Sequence, residues 1–521
     1  MSNPLDSGLA VLTLSGEQAL YKKEEEKEDR IDRTVVYRLC AIMAFAMFNV
    51  SGITVQRLRK IFQRTYSEAK FSQITSRSKD VKMMEKYVHE TDILIVGGGP
   101  AGLSAAIQAR RLAEKHSKEL RVTLVENECA IGGLVYSGAC LDPIVLNELF
   151  PNWKELGAPL NTPVTEDKFA FLTKKRRISI PISKGMCHHG NYIVRLSNMV
   201  KWLSEQAEAA GVEIYPKNEV IDILYHEDRS VKGVITYDRD LSPCFDPDMI
   251  YSNKNFGKHR ELYATCTIFA EGSGYFHCLE DKLRPKFNLR KDCEPHEYGL
   301  ELRQIWEIEP SKHRPGTMER TIGWPLHRVI YGGSFLYHLN EERPLVVIGF
   351  NHAYGNLYGR NDIETLQEHP SIEPTFEGGK IVVSEMVKVV QGGFQSIPKL
   401  HFPGGCLIGN MASFVNVLKM NGINYAIKSG ILAAESVIEA IIDAESNTSR
   451  TKGLEPKTYT DKIKNSWIYK ELKAVRNIRP SFNSYLGLYG GLTYSGFSML
   501  VGGREPWTLS HGSKQYYVLS K

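Results

Sequence analysis

The strongest structural signal in this chain is Asp92-Ile-Leu-Ile-Val-Gly-Gly-Gly-Pro-Ala-Gly102, followed by Leu120-Arg-Val-Thr-Leu-Val-Glu126. The pattern predicts a buried strand, a glycine turn, a helix and a second strand that ends in a carboxylate. In such a turn Gly97 allows the tight bend, Gly99 lets the backbone approach a pyrophosphate, and Gly102 lets the helix pack on the strand. The order of these elements predicts a dinucleotide-binding site.

The helix and Glu126 complete this predicted site. The helix is expected from about Pro100 to His116, and its N-terminus offers unpaired N–H groups and the positive end of its dipole to the phosphates. Glu126 can accept hydrogen bonds from a ribose diol. A purely structural glycine turn is the alternative, but strand, glycines, helix, strand and acid occur here in the order that a nucleotide site requires.

Length and composition limit the class of protein. At 521 residues the chain is long enough for two or three domains. Its net charge of +5 gives no reason to expect nucleic acid as a partner. Nine cysteines occur without any C-x-x-C spacing, which favours a reducing compartment over a disulfide framework. The same spacing provides neither a structural zinc site nor a four-cysteine iron–sulfur site.

The first 90 residues differ from the rest. Residues 1–33 are largely polar and are expected to be partly disordered. Val35 to Val55 is mostly apolar, and the basic segment Val55–Ser67 follows it. A transmembrane anchor, a secretory signal and a mitochondrial transit peptide are the alternatives. The basic segment contains no acid before Glu68, which favours the transit peptide, whereas the acidic run upstream does not.

Two later returns of the chain favour FAD over NAD as the dinucleotide. Ile268–Gly272 is predicted as a strand that ends in glycine, although a simple buried strand is the alternative. Gly404–Asn410 leads into a helix expected at about Ala426–Ala444. Flavoproteins with two dinucleotide-binding domains return to FAD in this way, whereas ordinary NAD dehydrogenases do not need the late return.

The predicted fold is α/β with an inserted α+β sheet domain. Short strands and helices alternate from Thr91 onward, and strand-like runs such as Arg328–Leu339 and Leu345–Phe350 suggest the insert. The predicted organisation is a leader in 1–90, the first part of the nucleotide domain in 91–295, the inserted sheet in 296–400, the nucleotide-domain return in 401–480 and a membrane-contacting segment in 481–521.

Eight longer motifs in the chain resemble those of a known protein family. They are Ser137–Pro143, Phe150–Lys154, Gly157–Asp167, Gly190–Arg195, Gly323–Leu326, Tyr331–Glu341, Gly392–Lys399 and Lys428–Ser436. These segments resemble the electron transfer flavoprotein–ubiquinone oxidoreductases, and the resemblance runs from about Asp92 to Trp507.

The resemblance implies a fold and an activity. The fold would be a glutathione-reductase-type FAD domain with an inserted quinone-binding sheet domain. The activity would be transfer of electrons from reduced electron transfer flavoprotein to ubiquinone, at the matrix face of the mitochondrial inner membrane, in fatty acid and amino acid oxidation. Family members use FAD and one [4Fe–4S] cluster. No catalytic acid or base is expected, because the cofactors carry the chemistry.

The resemblance also implies site residues. Tyr331, Gly332 and Gly333 would line the pocket of the quinone head group, whereas a hairpin turn or bulge is the alternative for the two glycines. The expected FAD contacts are Gly97, Gly99, Gly102, Glu126, Ser137, Gly138, Gly272 and Gly409.

Two segments suit a monotopic membrane contact. Ser481–Gly503 is uncharged, rich in Leu, Tyr and Phe, and interrupted by glycines, which favours broken helices at the bilayer interface over a spanning helix. A buried hairpin is the alternative. Phe169–Gly185 places basic residues beside an apolar loop, which fits an anionic bilayer, although the segment by itself favours the alternative, a solvated charge run.

The chain departs from the family in two places. It ends at Lys521, before the segment that supplies the cluster cysteines in family members, so we expect it to bind no [4Fe–4S] cluster. Its late flavin loop reads Met411-Ala-Ser-Phe414 and Gly422-Ile-Asn424 where the family usually has Ser-Pro-Gly-Phe and Gly-Thr-His, so altered FAD binding is expected. A membrane reductase of geranylgeranyl reductase type and a silent relic that binds flavin or a partner remain alternatives.

Overall fold

A computed structural model of the chain describes residues 87–133, 138–183, 185–238, 259–273, 279–353, 361–446 and 452–512. The predicted leader, including Val35–Val55, therefore lies outside the described residues, apart from its last few positions. So does Ser137, one of the expected FAD contacts.

The described residues contain strands and helices in the alternation that the sequence predicts. The strands are β1 (Tyr87–Val96), β2 (Val122–Val125), β3 (Ala139–Leu141), β4 (Thr162–Pro163), β5 (Glu166–Leu172), β6 (Arg177–Ile180), β7 (Tyr192–Val194), β8 (Glu213–Tyr215), β9 (Asn218–Tyr225), β10 (Val231–Asp238), β11 (His259–Phe269), β12 (Tyr298–Glu307), β13 (Thr317–Gly323), β14 (Gly332–His338), β15 (Leu345–Ala353), β16 (Lys380–Val390), β17 (His401–Phe402) and β18 (Gly405–Leu407). The α-helices are α1 (Pro100–Lys115), α2 (Ile144–Leu149), α3 (Leu196–Ala209), α4 (Leu279–Phe287), α5 (Asn361–Gln367), α6 (Glu373–Phe376), α7 (Ile423–Ser446), α8 (Tyr459–Asn465), α9 (Trp467–Val475), α10 (Ile478–Ser481) and α11 (Gly487–Leu500).

The first sheet is the core of the nucleotide domain. Its main strand order is β17-β18-β11-β1-β2-β8, and β10 and β9 extend it from β11. Strands β18, β11, β1, β2 and β8 run parallel. The apolar run Ile93–Ile95 in β1 is fully buried, as expected for a parallel strand covered on both faces. The predicted α/β fold is confirmed.

Helices α1 and α7 pack closely together on this sheet. A Cβ atom at Gly430 in α7 would lie 2.3 Å from the carbonyl oxygen of Ala101 in α1, so only glycine permits this approach. The late return of the chain is thereby fixed against the helix that begins at the glycine turn. Helix α7 is longer at both ends than the predicted span of about 426–444.

The second sheet has seven strands in the order β16-β12-β15-β14-β13-β5-β6. Five of them come from the predicted insert at 296–400, but β5 and β6 come from the segment assigned to the nucleotide domain. Strand β13 uses one edge for β14 and the other for β5, which it pairs in parallel over Thr317–Gly323. Part of the apolar loop predicted within Phe169–Gly185 lies in the β5–β6 hairpin instead, where Ile178 pairs with Phe171. This long-range pairing leaves no local signature in the sequence.

Candidate functional site

The glycine turn lies at the carboxyl end of β1. Gly97 has a φ of +111°, and a Cβ atom there would lie 2.5 Å from the carbonyl oxygen of Ala270. A Cβ atom at Gly102 would lie 2.0 Å from the carbonyl oxygen of Gly97, whereas one at Gly99 would meet no heavy atom within 4 Å. Two of the glycines are therefore required by packing, and the third faces open space, as a pyrophosphate-binding turn requires.

The N-terminus of α1 is suited to bind phosphate. Gly99 is its N-cap residue, Pro100 is its first residue, and no side chain caps it. The N–H groups of its first turn therefore have no side-chain partner, and the helix dipole adds positive potential there.

The carboxylate of Glu126 lies beside the turn. Its Oε2 accepts a hydrogen bond from the N–H of Gly98 at 2.5 Å, and its Oε1 accepts one from the N–H of Glu128 at 3.0 Å. This places an acid at the end of β2 where a ribose would follow the diphosphate.

Two further predicted FAD contacts lie at the ends of neighbouring strands. Gly272 follows β11, and a Cβ atom there would meet no heavy atom within 4 Å. Gly409 follows β18, donates its N–H to Ser429 Oγ at 2.9 Å, and would bring a Cβ within 3.0 Å of Ala101 Cβ. Because β11 pairs with both β1 and β18, these glycines gather at one edge of the sheet. Burial raises the pKa of Glu271, beside Gly272, to about 7.

A cavity of about 250 Å³ lies between the second sheet, the late loop and the C-terminal helices. Tyr331, Gly332 and Gly333, which are predicted as quinone contacts, all line this cavity. The cavity also contacts Gly138, the late-loop residues Asn410 and Gly422, and the α11 residues Leu492, Ser495 and Met499. Gly138 thus lies at the sheet side of the site, against the ring of Phe335.

Comparisons with known proteins show which family this chain resembles. The family description "FAD dependent oxidoreductase" matches residues 92–243, and "ETF-QO, ubiquinone-binding" matches residues 298–386. The mitochondrial electron transfer flavoprotein–ubiquinone oxidoreductase of Bos taurus is 51% identical over 435 residues, covering 82% of this chain and 69% of the bovine protein. This chain belongs to the electron transfer flavoprotein–ubiquinone oxidoreductase family. The human relative is 49% identical, covering 85% of this chain and 72% of its own length.

Solved structures support the fold alone. A geranylgeranyl bacteriochlorophyll reductase-like protein from Thermoplasma acidophilum has a TM-score of 0.56 at 18% identity, covering 81% of this chain and 97% of that protein. A flavin-dependent brominase has a TM-score of 0.51 at 16% identity, covering 80% of this chain and 96% of its own.

The late loop of this family member carries a residue in an unusual conformation. Ser413 has a φ of +62°, in the left-handed region that favours glycine. Its Oγ lies 2.8 Å from His296 Nδ1, and His296 Nε2 lies 2.7 Å from Glu280 Oε2. Glu280 is also ion-paired with Arg290, so a buried network anchors the loop.

Burial and charge act in opposite directions on this network. Burial raises the pKa of Glu280, but hydrogen bonds and positive charge from His296 and Arg290 outweigh it and lower that pKa overall. The pKa of His296 is lowered, mainly by burial. His296 Nε2 lies between Glu280 Oε2 and Arg290 Nη2, and its Nδ1 lies beside the Ser413 hydroxyl.

Polar groups line the cavity on the side of β12. Glu301 is ion-paired with Arg303 and accepts a hydrogen bond from Asn351 Nδ2 at 3.1 Å. Asn351 Oδ1 in turn accepts one from Gln391 Nε2 at 2.6 Å. The guanidinium of Arg479 lies 4.2 Å from the centre of the Tyr331 ring.

The surface around α11 exposes large apolar side chains. Tyr485 is 90% exposed, Leu486 65% and Leu500 88%. Tyr489, Phe497 and Trp507 are also largely accessible. Within Ser481–Gly503, where broken helices were expected, the structure has the single continuous helix α11, and α10 ends where that segment begins. In the part of the chain that the structure describes, no helix combines the length and apolar character needed to cross a bilayer.

The bonding state of the cysteines differs in part from the expectation of a reducing compartment without a disulfide framework. Cys129 is disulfide-bonded, whereas Cys140, Cys187, Cys266, Cys293 and Cys406 are free. Cysteine spacing gave no sign of this bond, because pairing depends on proximity in space. Among the described residues, no three His, Cys, Asp or Glu side chains are grouped so that they could hold a metal ion.

Proposed function

We propose that this chain passes electrons from reduced electron transfer flavoprotein to ubiquinone, with FAD as its bound cofactor. The observation that carries the proposal is the cavity, because three features border it at once. These are the late loop that follows β18, the residues Tyr331–Gly333, and the helix α11, which exposes apolar side chains. Strand β18 ends beside the predicted FAD contacts of the first sheet. A quinone with a lipid tail needs this combination.

The residues around the glycine turn fit FAD. The open position at Gly99 and the uncapped N-terminus of α1 suit the diphosphate, and Glu126 suits the adenosine ribose. Gly272 and Gly409 would let the backbone follow the rest of the cofactor. Bound FAD supplies the redox chemistry, and the chain supplies its position and electrostatic surroundings.

The cavity suits the quinone head group. Tyr331, Phe335 and Phe482 provide aromatic surface, while the polar groups of Asn351 and Gln391 lie on the side of β12. Conversion of ubiquinone to ubiquinol takes two electrons and two protons, one proton for each ring oxygen. A pocket with both apolar and polar sides can hold the neutral quinone and still admit those protons.

The exposed residues around α11 would dock on the mitochondrial inner membrane, with the catalytic unit on the matrix face. Relatives at about half identity are mitochondrial proteins. Aromatic side chains such as Tyr485 and Tyr489 are typical of the interfacial layer of a bilayer, and Leu500 would reach the acyl chains.

Replacement of Leu486 and Leu500 together by glutamine is expected to weaken membrane binding about a hundredfold to ten-thousandfold. Complete burial of one leucine side chain contributes about 1.5–3 kcal/mol, and both side chains are mostly exposed in the folded protein. Sedimentation with vesicles of phosphatidylcholine, phosphatidylethanolamine and cardiolipin measures the effect, and the melting temperature should not change.

The matched control is Ile381→Gln with Met386→Gln on the edge strand β16. These side chains are also exposed, at 49% and 43%, but lie on an edge strand of the second sheet and not at α11. Equal loss of vesicle binding in both double variants would show that general surface hydrophobicity, and not the α11 region, attaches the protein to the membrane.

The proposed function is tested by rapid mixing under anaerobic conditions. The FAD-loaded chain is reduced either by light or by reduced electron transfer flavoprotein and then mixed with ubiquinone-1, while flavin absorbance is recorded. We expect reduction by the flavoprotein and reoxidation by the quinone, with a rate that saturates as quinone concentration rises. Flavin that stays reduced in the presence of ubiquinone-1 would refute the proposal.

A further inference from the structure

Arg320 lies on an interior strand of the second sheet, beside the cavity. It lies on β13, where it pairs with Phe169 on one side and with Phe335 on the other. Only 1% of the residue is exposed to solvent, and it lines the cavity together with both of these phenylalanines. A guanidinium in such surroundings needs several hydrogen-bond acceptors.

Only one end of this guanidinium has partners. Nη2 lies 2.8 Å from Asp167 Oδ1 and donates to the carbonyl oxygen of Met186 at 3.0 Å. Asp167 Oδ2 is already used, because it accepts the N–H of His188 at 3.0 Å. Arg320 Nε and Nη1 are buried without a hydrogen-bond partner. Unmet donors on a charged group are costly, so a site that keeps them has another acceptor in its functional state.

Arg476 shows what a purely structural arginine looks like in the same chain. It is similarly buried, yet each of its three nitrogens has an acceptor. Nε donates to Thr508 Oγ1, Nη1 donates to the carbonyl oxygens of Lys473 and Gly503, and Nη2 donates to those of Glu505 and Trp507. Arg320 does not follow this pattern, although its ion pair with Asp167 already fixes its position.

We propose that Arg320 binds the quinone substrate, donating hydrogen bonds from Nε and Nη1 to one carbonyl oxygen of the head group. This inference rests on the proposed function and assigns a residue that the sequence motifs did not single out. The quinone is favoured over the flavin as the acceptor because Arg320 lies within 298–386, the region that matches the ubiquinone-binding family. It pairs with Phe335, two residues beyond Gly333 on the strand of predicted quinone contacts.

The chemistry of quinone reduction suits a cation at this position. Two electrons arrive through FAD and two protons arrive from water, so each C=O bond becomes a C–O–H group. Negative charge grows on the oxygen until its proton arrives, and charge-assisted hydrogen bonds strengthen as that charge grows. The nearby His188 adds no second cation, because burial and the charge of Arg320 lower its pKa to about 3.

The test is the affinity of Arg320→Lys for ubiquinone-1. Lysine keeps the positive charge beside Asp167 but lacks the N–H donors that arginine carries on Nε and Nη1. Titration of the oxidised FAD-loaded protein in detergent, followed by its intrinsic fluorescence, measures binding without turnover. We expect ubiquinone-1 to bind about tenfold to a hundredfold more weakly, with FAD affinity unchanged.

Arg177→Lys is the matched control. Arg177 makes an ion pair with Glu319, the neighbour of Arg320 on β13, and does not line the cavity. The same chemical change there should leave the ubiquinone-1 affinity at the wild-type value. If Arg320→Lys does not fold, the double variant Arg320→Gln with Asp167→Asn removes both charges of the pair and takes its place.

The possible outcomes are distinct. Weaker quinone binding in the Arg320 variant, with normal FAD binding and a normal Arg177 variant, supports the inference. Wild-type quinone affinity in the Arg320 variant overturns it, and so does loss of FAD affinity with quinone binding intact, because the guanidinium would then serve the flavin. Absence of ubiquinone-1 binding by the wild-type protein refutes the proposed function itself, before any variant is compared.

Discussion

Replacing Gly102 by alanine should destabilise the protein by about 3 kcal/mol and prevent it from holding FAD. The added Cβ would lie 2.0 Å from the carbonyl oxygen of Gly97 and 3.2 Å from Ile95 Cγ2. The nearer contact is with backbone, which cannot rotate away, so α1 must move off β1 and the turn must change shape. Thermal unfolding of the apoprotein measures the first effect, and flavin absorbance after dialysis against FAD measures the second.

Gly99→Ala separates cofactor binding from folding at the same turn. Gly99 has ordinary extended angles, with φ −77° and ψ −178°, and its Cβ would meet no heavy atom within 4 Å. The apoprotein should therefore melt at the wild-type temperature. FAD should bind about tenfold more weakly, because the methyl group occupies the approach to the helix N-terminus and costs about one charge-assisted hydrogen bond. Unchanged FAD affinity in Gly99→Ala would mean that the diphosphate does not pass this residue.

The sequence predicted this turn well because its requirements are local. Gly97, Gly99 and Gly102 lie within six positions of one another, and their spacing follows from the geometry of one strand, one turn and one helix. The same holds for the apolar run in β1, which is buried on both faces. The assignment of Tyr331–Gly333 to a quinone pocket depends on the resemblance to a family, since the two glycines alone favour a hairpin turn or bulge.

The sequence could not predict features that depend on contacts between distant segments. Strand β5 joins β13 across about 150 residues, so the second sheet extends beyond its predicted segment. The position of Arg320 cannot be predicted for the same reason, because its partner Asp167 lies in β5 and nothing near Arg320 in the sequence indicates a cavity. The contact between Ser413 and His296 also joins segments that are distant in the sequence, so it depends on the folded structure.

Glu280→Gln is the second substitution expected to have a large effect, with a loss of about 3–5 kcal/mol in the free energy of unfolding. The side chains of Glu280 and Arg290 are only 4% and 8% exposed. Arg290 Nη2 also donates to Glu280 Oε2 at 3.2 Å. Removing the carboxylate charge leaves a buried guanidinium without its counter-ion, which costs far more than losing an exposed pair.

Asp281→Asn, at the next position of α4, is the control. Asp281 also makes an ion pair, with Arg284, but the two side chains are 66% and 53% exposed. Loss of this exposed ion pair should change the free energy of unfolding by less than about 0.5 kcal/mol. Urea unfolding of both variants at pH 7 gives the comparison, and equal effects would mean that the buried network does not contribute to stability.

The pH dependence of the free energy of unfolding tests whether the Glu280 carboxylate causes the loss of stability in Glu280→Gln. The pKa of Glu280 is lowered in the folded protein from its ordinary value of 4.5, since His296 and Arg290 outweigh the effect of burial. Its stabilisation is therefore fully present above pH 4.5 and is lost as pH falls through the folded pKa. The wild type and Glu280→Gln should differ most near neutral pH and converge in acid. Because this network also fixes Ser413 in its left-handed conformation, the variant should bind FAD more weakly even where it remains folded.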